Sequence, residues 1–266
     1  MTLVDAHVHL FSRTLPLAAG AWTRPEGDLT AEAFLPMMDA HGVSHAVISA
    51  MSLLGDQNEY TLAALRAHPR LRGTVHVEPG TELADLAGLI GVVGVRFQWR
   101  RRTDLPDLRE PGYRTLLRQI AELDWHVELN IESARLPPVL DSLLAAGIKV
   151  VVDHFGDPHP ETGYANPGGA ALLRGLATGQ VWVKLSAGYR FGVSPARLAG
   201  YAATLLSATG PERLFWGSDA PFVGARRPLT YQDAVNSFAT TVPDPALREQ
   251  ITRTSLAFYF RSASRP

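Results

Sequence analysis

The sequence predicts one closed (β/α)8 barrel, a single domain over residues 1–266. Three observations carry this expectation. Short strand-type stretches and amphipathic helix-type stretches take turns along the whole chain. Eight such units fill about 250 residues, the usual size of that barrel. No glycine-rich phosphate turn follows the first strand, which removes the main argument for an open, doubly wound sheet. No composition break marks a linker, and no repeat is visible beyond the strand–helix unit.

The first strand covers residues 3–10. Val4, Ala6 and Val8 alternate with Asp5, His7 and His9, and alternate residues of a strand share a face. His7 and His9 are therefore expected to project together, with Asp5 beneath them, into an enclosed polar space. Burying such groups is costly unless they bind, catalyse or pair. Residues 11–28 hold Pro16, Gly20, Pro25 and Gly27 and read as a long loop, the kind that serves as a lid or binding loop.

A helix over 30–41 has Thr30 as N-cap and stops at Gly42, with Pro36 as an irregularity. Residues 45–51 form the second strand. Asn58 is expected to cap a helix over 58–68 that Pro69 ends. Strand 73–78 leads to helix 81–90, and strand 92–98 to helix 111–123, with Pro near N1. Strand 126–131 is followed by helix 138–146, stopped by Gly147. Strand 149–154 is of the continuously apolar kind and precedes helix 168–177. Strand 181–186 precedes a helix opened by Ser194-Pro195 and running to about Ser207. Strand 214–219, helix 231–240 and a last helix opened by Asp244-Pro245 complete the chain.

Composition narrows the function. Lys and Arg number 25 against 26 Asp and Glu, so no general attraction to nucleic acid or membrane is expected. The chain has no cysteine, which excludes thiol catalysis and thiolate metal sites. Any metal must use His, Asp, Glu or water. No signal-like start and no bilayer-length apolar run is present, so a cytoplasmic protein is the expectation. An exposed helix face could serve a homodimer.

In such barrels the active site lies at the C-terminal ends of the strands. His7 and His9 end strand one, and Arg96 and Gln98 end strand four, before Trp99 and Arg100 to Arg102. Glu128-Leu129-Asn130 ends strand five, Asp153-His154-Phe155-Gly156 strand six, Ser186 to Arg190 strand seven, and Gly217-Ser218-Asp219 strand eight. Residues far apart in the chain would converge on one mouth. Asp153 has the opposite parity to His154 and reads as structural, and Lys184 is expected to face away from the site.

Asp5-x-His7-x-His9, the lone His154 and Gly217-Ser218-Asp219-x-Pro221 resemble the amidohydrolase superfamily. Residues 153–156, 181–186 and 214–219 are similar to its lactonase branch, which holds 2-pyrone-4,6-dicarboxylate lactonase and several sugar-acid lactonases. The likeness covers essentially the whole chain. Metal-rich members carry a Lys or carboxylate on strand four and a His on strand five, where this chain has Arg96 or Gln98, and Asn130. The resemblance therefore implies at most one divalent ion, zinc or manganese, on His7, His9 and Asp219 with His154 in reserve. It equally allows a metal-independent enzyme.

The implied reaction is hydrolysis of a carboxylated lactone or related cyclic ester. Asp219 is the candidate general base, and His7, His9 and His154 are candidates to stabilise the oxyanion. Guanidinium groups match carboxylates with paired hydrogen bonds. Arg96, Arg190 and Arg102 are therefore assigned to the anionic substrate, with Asn130 and Tyr189 beside them. Two alternatives remain: a metal-dependent decarboxylase on the same scaffold, and a non-catalytic barrel that binds an organic anion.

Overall fold

The computed structural model describes residues 2–260. Strands β1 (Leu3–Val8), β2 (Val43–Ile48), β3 (Leu71–Val75), β4 (Val92–Gln98), β5 (His126–Asn130), β6 (Lys149–Val152), β7 (Val181–Leu185) and β8 (Leu214–Trp216) are parallel neighbours in sequence order. A parallel bridge between Val8 and Ala220 brings the last strand back to the first. The Asp219 N–H donates to the His7 carbonyl (2.9 Å) and the His9 N–H to the Ala220 carbonyl (2.8 Å). The sheet is thereby a cylinder, as the alternation predicted.

Helices α1 (Ala31–Ala40), α2 (Glu59–Ala67), α3 (Ala84–Ala87), α4 (Pro111–Glu122), α5 (Leu136–Ala145), α6 (Pro167–Ala177), α7 (Pro195–Thr209) and α8 (Tyr231–Thr241) connect or follow the strands, and α9 (Pro245–Tyr259) ends the fold. Thr30, Asn166, Ser194, Thr230 and Asp244 each accept a backbone N–H at a helix start, which satisfies donors that a helix leaves open. No helix among the described residues is long and apolar enough to cross a membrane.

Three local expectations need correction. The helix expected over 81–90 shrinks to one turn, α3. Thr81 turns its hydroxyl back to the Glu78 carbonyl (2.8 Å), and Gly88 closes the turn because glycine is a poor helix former. Asn58 does not cap α2. Its side chain instead donates to the His76 carbonyl (2.8 Å) and accepts the His76 N–H (3.0 Å), pinning the end of β3. Strands β6 and β8 stop short of His154 and Asp219, because those residues take left-handed φ values of 51° and 63°.

The fourth correction concerns β1. Its register against β2 jumps between Asp5 and Val8, the mark of a bulge, which resets the alternation of faces. Asp5 consequently meets Tyr231 of α8 and Ser218 rather than lying beneath the histidines, and Ala6 joins Val47, Val151 and Phe215.

Outward strand residues such as Val95, Phe97, Val127, Leu129, Val183 and Leu185 pack under the helices. Inward residues fill the barrel in levels. Ala6, Val47, Val151, Trp182 and Phe215 form an apolar floor closed by Tyr259 of α9, with Phe258 packed against it. Above that floor the barrel becomes charged.

Candidate active site

Glycine at 217 lets the end of β8 approach β1. A Cβ there would lie 2.4 Å from the Cβ of His7. This close approach brings Asp219 beside the two histidines. Asp219 Oδ1 lies 3.5 Å from His7 Nε2 and 3.4 Å from His9 Nε2, and the two ring nitrogens are 3.3 Å apart. His154, on the turn after β6, sets its ring 4.9 Å from that of His7, tilted by 55°. Its Nδ1 shares a hydrogen bond with Ser186 Oγ (2.9 Å). Left-handed backbone, as at His154 and Asp219, is uncommon outside glycine and is the kind of local strain that functional sites retain.

The two oxygens of Asp219 have different surroundings. Oδ2 accepts from the Tyr189 hydroxyl (2.6 Å) and from Arg190 Nε (3.0 Å) and Nη2 (2.9 Å). Oδ1 makes no hydrogen bond among the described residues. Burial alone would raise this carboxyl, but the Arg190 guanidinium outweighs it and holds it well below the usual range. Burial lowers His154 to about 4 despite Asp219. It also lowers His7 well below the usual histidine range, and Lys184 and Arg96 add to that effect. His7 and His154 are therefore neutral imidazoles at neutral pH.

Beneath His7 lies a layer of paired charges. Arg96 donates to Asp153 Oδ2 through Nη2 (2.6 Å) and Nε (3.1 Å), and its Nε is 2.8 Å from Glu128 Oε1. Lys184 Nζ lies 2.7 Å from Glu128 Oε2. Burial would push both carboxyls up. Lys184 and Arg96 outweigh it at Glu128, and Arg96 and Lys184 do so at Asp153.

Two assignments change here. Lys184 faces into the barrel, not away, because Val183 and Leu185 occupy the outward positions. Asp153 is no peripheral structural residue, since its Oδ1 lies 3.3 Å from His7 Nδ1. The chain leaves the extended conformation right after it, so Asp153 and His154 both reach inward despite being consecutive. Glu128, at the end of strand five, has no role in the sequence reading. Single charges inside apolar strands, as in Val127-Glu128-Leu129 and Val183-Lys184-Leu185, are the signal that could have found this layer.

The cavity above these groups holds about 640 Å³. His9, His154, Arg96, Asn130, Tyr189 and Arg190 line it, and Arg102 lies on its wall with Arg100 and Arg101. His7 and Asp219 are fully buried behind that lining. Both inward arginines are already paired, Arg96 with Asp153 and Glu128 and Arg190 with Asp219. Arg100 is paired with Asp157. The 11–28 loop supplies one side of the mouth through Trp22, on which the Arg101 guanidinium rests 4.1 Å from the ring centre.

A metal can be tested against this donor set. His7 Nε2, His9 Nε2 and Asp219 Oδ1 form a triangle with edges of 3.3, 3.4 and 3.5 Å. A tetrahedral ion with bonds of about 2.1 Å spaces its ligands about 3.4 Å apart. Nitrogen and carboxylate ligands suit zinc or manganese. By spacing and donor type, these three residues could hold one divalent ion.

Residues 4–261 match the family model described as amidohydrolase. A 4-sulfomuconolactone hydrolase from Rhizobium radiobacter is 32% identical over 261 residues, covering 93% of this chain and 86% of that one. A 2-pyrone-4,6-dicarboxylate hydrolase from Comamonas testosteroni is 30% identical, over 82% of this chain and 76% of its own length. A solved structure from Acinetobacter baumannii, described as a probable 2-pyrone-4,6-dicarboxylic acid hydrolase with citric acid bound, superposes with a TM-score of 0.91. It is 30% identical and covers 97% of this chain and 99% of its own. With the barrel, the histidine pair on β1 and Asp219 after β8 all in place, the chain belongs to the amidohydrolase family and is an enzyme of that family.

Proposed function

We propose that this enzyme hydrolyses a lactone that carries at least one further anionic group. The observation that carries this reading is Asp219 Oδ1, an ionised and unbonded acceptor directed at His7 and His9 behind an arginine-lined cavity. The relatives named as lactone hydrolases support the reaction type.

In this reading Asp219 Oδ1 takes a proton from a water as its oxygen attacks the acyl carbon. Tyr189 and Arg190 hold Oδ2 and so keep Oδ1 free and fixed. His154 reaches the cavity wall and can donate a hydrogen bond to the developing oxyanion. The ring C–O bond then breaks, and the proton held by Asp219 passes to the leaving oxygen. Arg102 and Asn130 meet the substrate's anionic group, while Arg190 and Arg96 add positive potential from below. A divalent ion on His7, His9 and Asp219 would supply Lewis-acid polarisation of the ester carbonyl. The charges of the site balance without one: Arg96, Lys184 and Arg190 face Glu128, Asp153 and Asp219.

The test is a ring-opening assay followed by proton release. It compares carboxylated, sulfonated and neutral lactones, with and without chelator. Anionic lactones are expected to turn over, and Asp219→Asn to lower kcat roughly 10²–10⁴-fold. Neutral lactones opened as fast as anionic ones would refute the substrate class. Release of carbon dioxide from an unsaturated acid without ring opening would favour the decarboxylase instead.

A further inference from the structure

We infer that Lys184 holds His7 in its Nε2–H form, so that His7 meets His9 as a hydrogen-bond donor and becomes a metal ligand only when that proton moves. The inference concerns the histidine pair and is independent of which ester the enzyme opens.

Proton positions follow from the partners around the two rings. His9 Nδ1 lies 2.9 Å from the Ser49 carbonyl oxygen. A carbonyl only accepts, so Nδ1 of His9 carries its proton and Nε2 of the neutral ring carries a lone pair. His7 Nε2 is 3.3 Å from that lone pair. In the metal-free enzyme the one hydrogen bond this pair can make runs from His7 to His9, because His9 Nε2 has no proton to give.

The other edge of His7 agrees. Its Nδ1 lies 3.3 Å from Lys184 Nζ and 3.2 Å from Ser49 Oγ. An ammonium has three donors and no acceptor. Those of Lys184 go to Glu128 Oε2 (2.7 Å), Ser49 Oγ (3.1 Å) and His7 Nδ1 (3.3 Å). A continuous run of hydrogen bonds results, from Lys184 to His7, from His7 to His9, and from His9 to the Ser49 carbonyl.

A rival acceptor stands beside it. Asp153 Oδ1 is 3.3 Å from the same Nδ1 and has no hydrogen-bond partner among the described residues. If the proton sat on Nδ1 it would go to Asp153, and Nε2 would be free to bind a cation. The second partner of a metal-ligating histidine usually fixes its ring this way. Here Lys184 and Asp153 compete for one nitrogen, and the hydrogen-bond geometry favours Lys184. Lys184 is thus a positioning residue. It acts through His7 and opposes occupation of the His7, His9 and Asp219 triangle.

The test uses the full-length enzyme, freed of metal and labelled with 15N. Long-range 1H–15N spectra report which ring nitrogen of His7 is protonated, with its signals assigned by their loss in His7→Asn. The wild type is expected to show Nε2–H. Lys184→Met is expected to show Nδ1–H, with zinc affinity in chelator competition raised about 10–100-fold. Lys184→Met leaves Glu128 without its ammonium, so Lys184→Met with Glu128→Gln serves as the charge-balanced second variant. An Nδ1–H signal in the wild type overturns the inference. So does a folded variant of either kind whose His7 tautomer and zinc affinity match the wild type. If neither variant folds, the wild-type spectrum alone decides.

Discussion

Two levels of one barrel interior are filled by opposite means. The floor is Ala6, Val47, Val151, Trp182 and Phe215, closed by Tyr259. The level above is Arg96, Glu128, Asp153 and Lys184, each with almost no solvent exposure. Barrels of this type are ordinarily filled by apolar side chains throughout, and the floor conforms in being apolar. An apolar filling of the upper level would be no less stable, because desolvation offsets most of what buried ion pairs gain. Stability therefore does not explain the charged layer. Its contacts do, since every member touches His7 or a residue that touches His7.

The comparison can be broken most severely by stranding charge. Arg96→Met leaves Glu128 and Asp153 without their shared guanidinium and should cost roughly 3–5 kcal/mol in urea unfolding. A loss under about 1 kcal/mol, the scale of an exposed pair, would mean that the layer is wetter than its burial implies.

Acid should weaken the same interior next. Burial lowers His126 and His154 to about 4 in the folded chain, against about 6.5 when unfolded. Between these values the unfolded state binds the extra protons. Stability is thus full above pH 6.5 and falls as pH drops toward 4, by on the order of 3 kcal/mol for each histidine. The depressed carboxyls Glu128, Asp153 and Asp219 begin to add their loss only at the acid end of that window, from about pH 4.5 downward. The urea midpoint measured from pH 7 to 4 checks the sign, and His126→Gln should flatten part of the slope.

The floor should respond least. Tyr259 carries a buried hydroxyl with no hydrogen-bond partner among the described residues. Tyr259→Phe removes that donor while keeping the ring against Phe215. The expected change is neutral to stabilising, within about 1 kcal/mol, by thermal or urea unfolding. A larger loss would show that the floor also depends on a polar contact.

These contrasts separate what the chain states locally from what it states only when folded. The order and number of strands and most helix ends were legible, because helix and strand periods and capping residues act within a few positions. The rim residues His7, His9, His154 and Asp219 were legible for the same reason: each stands at the end of an apolar strand. Errors arose where one residue resets a local period, as at the β1 bulge that turned Asp5 toward α8, or at the left-handed turn at His154 that lets two consecutive residues, Asp153 and His154, both face inward.

The charged layer was decided by the tertiary structure alone. Lys184 shows in the sequence as a lone cation within an apolar strand, yet the nitrogen it faces on His7 lies 177 residues away. A buried charge requires a counter-charge, but nothing near it in the chain says which one. Closing the cylinder makes that choice, by setting β7 beside β6 and only one strand away from β1 around one dry interior.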